Sequence, residues 1–319
     1  MRRRALLGAG ALLAAPAHAQ GPWPQRPVTI LVGYPAGGAN DIVARTVGER
    51  MRLSLGQPMV VENRPGAAGT LAAGQAARAA PDGYTLFMCG GAHALAPSLF
   101  RTLPYDMVND FRAITLCGTS AYVLVVHPSV PARSIAEFIA HLRANPGRLN
   151  YASSGVGAPL HLAGVLFQQR TETRMEHVPF QGDADALSAL IAGHVQLGFM
   201  SISASRPHVE GGRLRALAVT DTQRSLALPE VPTVQEGGVA DFRVSTWWGL
   251  IAPRGVPEEI IRRAHGAAAE ACRHPEVVQR FLGLGITAVG NTPDEFQQFI
   301  RDEVARFAAL ARAAGVQPQ

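Results

Sequence analysis

The chain has 319 residues, 47% of them apolar and 17% charged, which is the make-up of a folded protein with a large core and not of a disordered one. Its 29 basic residues are all arginine, so lysine Schiff-base chemistry and the lysine of a nucleotide-binding P-loop are both ruled out. The net charge of +5 includes Arg2, Arg3 and Arg4; about +2 remains without them, too little for a nucleic-acid surface, and no aromatics are interleaved with basic clusters.

The start reads as an export signal over 1–19. Three arginines precede the apolar run ALLGAGALLAA, which is too short to span a bilayer, and Ala17-His18-Ala19 fits a small-x-small cleavage site. The mature chain then begins at Gln20, exported by the general route or, from the arginines before Ala5, by the twin-arginine route. A periplasmic protein is expected, with no membrane insertion, since no other run reaches about 18 apolar residues. About 300 mature residues suggest two domains.

Strand and helix patterns alternate from there. VTILVG is followed by a helix from Asp41 to Leu55, PMVVEN by a helix after Gly69, and a Pro-Asp-Gly turn at 81–83 leads into YTLFMC. FRAITLCG and AYVLVVH read as two more strands, the second leading into another domain. Ser134-Ile135-Ala136-Glu137 is a capping box ahead of the helical spacing Ile135, Phe138, Ile139, Leu142. LNYAS, a helix over Ala158–Gln169, RMEHVPF, a helix over Asp183–Ala192, HVQLGFM and LRALAVT repeat the alternation. VSTWWGLIAP reads as a strand crossing back, and Thr292-Pro293-Asp294-Glu295 caps a last helix with one apolar face. Such alternation implies an α/β fold with a largely parallel, doubly wound sheet in each of two lobes.

Two glycine loops sit at strand ends, where open α/β sheets bind ligands. One is YPAGGAND, comprising Tyr34, Ala36, Gly37, Gly38, Ala39, Asn40 and Asp41. The other is SSGVGA, comprising Ser153, Ser154, Gly155, Val156, Gly157 and Ala158. Neither is a nucleotide fingerprint: the second lacks the third glycine of G-x-G-x-x-G, and the first lacks the Gly-Lys ending of a P-loop. No G-x-S-x-G, H-E-x-x-H or C-x-x-C occurs, so no catalytic, metal or cofactor site is expected. What remains is a backbone cradle for an anion at two helix N-termini. Asn40 or Asp41 either caps the helix or, for Asp41, accepts a hydrogen bond from a ligand hydroxyl or ammonium. His161 and His93 lie near the loops as ligand contacts or packing residues. Phe180 and Gln181 end a further strand, and of Trp247 and Trp248 one packs between lobes while the other walls the cleft. Cys89, Cys117 and Cys272 leave at least one thiol outside any internal bridge, and Cys89 and Cys117 read as buried small hydrophobes.

The stretches VTILVGYPAGGANDIVAR, VVENRPGAAGT, APDGYTL, LNYASSGVGAPLHLAGVLF, EHVPFQGDADAL and STWWGLIAPRGVP occur in one order along the chain. Together they resemble the Bug, or TctC-like, extracytoplasmic receptors of tripartite tricarboxylate transporters. The resemblance implies a type II, Venus-flytrap binding protein with two crossover strands, lobe 1 being 20–122 plus 246–319 and lobe 2 being 123–245. It implies that the two glycine loops pinch a small carboxylate, partly through ordered water, and that a monomeric receptor hands it to the small and large membrane subunits of the transporter. The sequence departs from the family pattern at Gln196 and Met200, where acidic residues are common, and at Ala39 and Asn40. A less acidic cleft wall would suit an aromatic or branched acid. Other readings left open are a sensory receptor facing a membrane regulator and a secreted α/β enzyme.

Overall fold

The computed structural model describes residues 23–318, so the expected export segment lies outside the described residues. β1 (Val28–Val32) leads into α1 (Ala39–Leu55), β2 (Met59–Asn63) into α2 (Thr70–Ala77), and β3 (Thr85–Gly90) into the short α3 (Gly91–Leu95). β4 (Phe111–Val126) precedes α4 (Ile135–Ala144), β5 (Asn150–Ser153), α5 (Pro159–Thr171) and β6 (Glu176–Pro179). Then come α6 (Asp183–Ile191), β7 (Leu197–Ser201), α7 (Ile202–Glu210), β8 (Arg215–Val219) and β9 (Ser245–Pro253). α8 (Glu258–Arg273), α9 (Pro275–Gly283), β10 (Thr287–Ala288) and α10 (Pro293–Ala313) follow.

The strands run in the order β2-β1-β3-β9-β4-β7-β5-β6, with β8 and β10 also paired to β4. β1 is parallel to β2 and β3, and β5 to β6 and β7, as the alternation predicts. The sheet is nonetheless mixed, because β9 is antiparallel to β3 and β4, and β4 is antiparallel to β7 and β8. Strand VTILV is apolar at every position but Thr29 because both its faces are covered. Val28, Ile30 and Val32 point to one side, into a core shared with α1 and α8, and Leu31 points to the other.

FRAITLCG and AYVLVVH are not two strands but one, the 16 residues of β4. Gly118 gives the sequence the look of a break. Its role is close approach: a Cβ there would lie 2.7 Å from Ile286 Cγ2 and 3.2 Å from the Thr287 carbonyl, where β10 pairs. β4 pairs with β9 over 111–121 and with β7 and β8 over 122–126, so it changes neighbours midway. Thr220, fully buried, staples the change-over. The Tyr122 N–H donates to its hydroxyl at 2.9 Å, and that hydroxyl donates to the Val244 carbonyl at 2.5 Å.

Candidate functional site

Both glycine loops follow a strand and open a helix. At the first, Gly37 has φ +85°, a left-handed turn that leads into the N-cap Gly38 of α1. Neither Asn40 nor Asp41 is the cap. Asp41 is the third helical residue, reaches back, and accepts the Gly37 N–H at 2.9 Å. Its other partners are Arg45, whose Nε and Nη2 reach the two carboxylate oxygens at 3.0 and 2.9 Å, and Asn63 Nδ2 at 2.9 Å. Asp41 is 3% exposed, and both its carboxylate oxygens are engaged. Against its burial, the bonds from Arg45, Gly37 and Asn63 hold its pKa below the ordinary value. Asp41 therefore braces the loop in this structure. The amides of Ala39, Asn40 and Asp41, at the helix start, have no acceptor among the described residues, and Ala36, Gly37, Gly38 and Ala39 are exposed.

His93 lies beneath this loop, fully buried and edge-on to Tyr34 at 5.8 Å and Phe87 at 4.9 Å. Its Nδ1 accepts the Gly90 N–H at 3.1 Å, and Nε2 has no hydrogen-bond partner among the described residues. Burial lowers its pKa to about 4, so the ring is neutral. The Tyr34 hydroxyl donates to the Ala68 carbonyl at 2.9 Å, and burial raises its pKa to about 12.

The second loop is built the same way. The N-cap of α5 is Ala158, Pro159 takes the first helical position, and His161, third in the helix, accepts the Gly157 N–H on Nδ1 at 3.0 Å. Gly157 has φ +79°, and a Cβ there would lie 3.0 Å from Leu99 Cδ2 and 3.6 Å from Val316, residues of the expected first lobe. The Gly155 N–H donates to Ser153 Oγ at 3.2 Å, and the Ala158 N–H donates to the Gly155 carbonyl at 3.2 Å. That leaves the amides of Ser154, Val156, Leu160 and His161 without an acceptor among the described residues. Val156 is 68% exposed. Phe180 runs alongside, its N–H donating to the Ser153 carbonyl at 2.9 Å, and Gln181 is exposed beyond it.

Two expected positions, Trp247 and Met200, are core groups. Trp247 is fully buried against Phe296 and Phe299, its indole N–H donating to Glu303 Oε2 at 3.0 Å, so it packs β9 onto α10 and walls no open cleft. Met200, 1% exposed, lies in the core on β7, and Gln196 spends its amide oxygen on the Asn150 N–H at 3.0 Å. The expected apolar cleft wall at 196 and 200, and the aromatic or branched acid read from it, lose their basis. Sequence reasoning missed Asn63, Arg45, Tyr151 and His177. His177 pairs in register with Tyr151 across β5 and β6, and register between distant strands leaves no mark in the residues themselves. Two surface clefts of about 350 and 420 Å³, one beside Asp221 and Arg243 and the other beside Arg45 and Arg280, contain no residue of either loop.

The model of the tripartite tricarboxylate transporter family receptor matches residues 43–316. The chain belongs to this receptor family. BugT of Bordetella pertussis (strain Tohama I) is 36% identical over 305 residues, which cover 95% of this chain and 93% of BugT. An R. palustris protein solved with adipate is 32% identical, with a TM-score of 0.76 over 93% of this chain and 100% of that one. MatC from Rhodopseudomonas palustris, solved with bound malate, is 33% identical, with a TM-score of 0.71 over 91% of this chain and 100% of MatC. Family members are solute-binding receptors and not enzymes, and the α/β fold is that of solved periplasmic binding proteins of the same type. No described helix is long and apolar enough to cross a membrane.

Proposed function

We propose that the chain is a periplasmic receptor that takes a small carboxylate between its two glycine loops, with 20–122 and 246–319 on one side and 123–245 on the other. The observation that carries this is the matched construction of the loops. Each is a strand-to-helix turn whose third helical residue ties down the amide before the cap, and each leaves at least three further amides without an acceptor among the described residues. A charge-assisted hydrogen bond contributes about 1.5–3 kcal/mol and a helix end about 0.3–1. At the upper end of these ranges four or five such bonds and two helix ends reach the roughly 8 kcal/mol of a micromolar complex after an association cost of about 4, without an arginine contact. The two relatives solved with adipate and with malate support this reading, since both are small carboxylates.

Delivery to the membrane subunits of a tripartite transporter completes the proposal. Closure of the two sides around the acid, each binding it better when both are engaged, is the signal such subunits read. The test is thermal unfolding of the chain from Gln20 onward, refolded to remove carried solute, against mono-, di- and tricarboxylates. An acid at about 100 times its dissociation constant adds about 2.7 kcal/mol, a rise of several degrees in Tm at this size. A selective rise is expected; a flat response from folded protein across all three classes overturns the carboxylate assignment.

A further inference from the structure

The two loops share one brace and differ in the group that makes it. Asp41 accepts the Gly37 N–H with an ionised oxygen, and His161 accepts the Gly157 N–H with a ring nitrogen. An N–H donates only to an unprotonated nitrogen, so a bonded Nδ1 carries no hydrogen and the neutral ring keeps its proton on Nε2. Asp41 makes its brace wherever it is ionised, whereas His161 makes it only while it is neutral.

We infer that His161 is a positioning residue for solute capture, its unprotonated Nδ1 holding the second glycine loop in its binding form, so that this loop is the acid-sensitive half of the site. The effect on affinity rests on the carboxylate reading above; the brace itself does not.

The surroundings of the ring support the assignment. His161 is 7% exposed and stacks on His177 of β6 at 4.1 Å with 21° between the planes, and Tyr151 of β5 lies 6.4 Å away, nearly parallel. His177 Nε2 is 2.6 Å from Ser153 Oγ, which accepts the Gly155 N–H. The two histidines thus hold both glycine amides of the loop, Gly157 directly and Gly155 through Ser153. Tyr151 and His177 are the titratable groups facing His161, and among the described residues no ion pair involves it. Burial lowers the pKa of His161; burial and then the charge of His161 lower that of His177 to about 4. Two rings stacked this closely resist being charged together. Protonation of His161 turns Nδ1 into a donor aimed at the Gly157 N–H, two donors with no acceptor between them, and the loop must move. A neutral acceptor also has a use here. Arg45 offsets the charge of Asp41 in the first loop, and a bare carboxylate at 161 would repel the acid being bound.

Nitrogen NMR of histidine-labelled mature chain reads the tautomer without any substitution. Exchange of the Gly157 amide is then followed in the wild type, in His161→Asn, whose amide oxygen falls near the Nδ1 position and does not titrate, and in His161→Gln, which carries its oxygen one carbon farther out. Adipate and malate binding is measured in each at about pH 8 and about pH 4, carried below the usual histidine span because burial lowers the pKa of His161. Expected are a proton on Nε2 of His161, a Gly157 amide protected in the wild type and His161→Asn, and exchange about tenfold faster or more in His161→Gln. On acidification the wild type loses at least about tenfold more affinity than His161→Asn for whichever acid binds. A proton on Nδ1 near neutral pH, or equal loss in the wild type and His161→Asn, overturns the inference. If neither acid binds the wild type at about pH 8, it is their assignment as solutes that fails, and the tautomer and Gly157 exchange still decide the brace.

Discussion

At the scale of the residue, Asp41 shows how one buried side chain can brace a glycine loop through its own hydrogen bonds. Its oxygens are used by Gly37, Arg45 and Asn63. Asp41→Asn is expected to lower stability by about 1.5–3 kcal/mol, the range for a hydrogen bond to a charged group, and to leave the ranking of bound acids unchanged. Urea unfolding with a carboxylate panel checks both; a changed ranking would make Asp41 a solute contact. The pH dependence has a definite sign. The folded-state pKa lies below the ordinary value, so the stabilisation is present above the unfolded-state pKa and is lost as pH falls through the folded one. The gap in stability between the wild type and Asp41→Asn should therefore close in acid.

At the scale of the element, α10 is the C-terminal helix that the sequence announces most clearly. Thr292 Oγ1 accepts the Glu295 N–H at 3.3 Å, and Glu295 Oε2 accepts the Thr292 N–H at 2.9 Å, a reciprocal cap with Pro293 at the first helical position. Thr292→Ala should cost about 1 kcal/mol, visible as a lower denaturation midpoint with unchanged slope. Phe296, Ile300 and Phe307 make the buried stripe that the spacing predicts. Glu303, 1% exposed on the same helix, takes the Trp247 indole N–H and the Arg306 guanidinium. A glutamate in sequence gives no hint of such burial, because its partner arrives from β9, 56 residues away. α8 and α9 went unread although both are amphipathic: α8 buries Ile261, Ala264, Ala268, Ala271 and Cys272 and α9 buries Val277 and Phe281, at helical spacing.

At the scale of the whole molecule, β4 is the member that ties the two groups of strands together, and Thr220 is its pin. Thr220→Val keeps the shape and removes the hydroxyl's bonds, leaving the Tyr122 N–H and the Val244 carbonyl short of a partner in a buried site. A loss of about 1–3 kcal/mol is expected in thermal unfolding; a variant as stable as the wild type would show that the staple contributes nothing at the change-over.

Local chemistry is what the sequence settled unaided. Turn glycines, capping boxes and apolar periods of two and of three to four residues act over a few neighbours, so the strands, most of the helices and both glycine loops were legible along the chain, as was the family. Tertiary structure decided whatever depends on residues far apart in sequence: that FRAITLCG and AYVLVVH form one strand, that Trp247 and Met200 are core, and that His177 stacks on His161. Hydrogen bonds and ring contacts of this kind form only after register and packing are chosen. Those choices minimise the energy of the whole chain, and no single segment contains them.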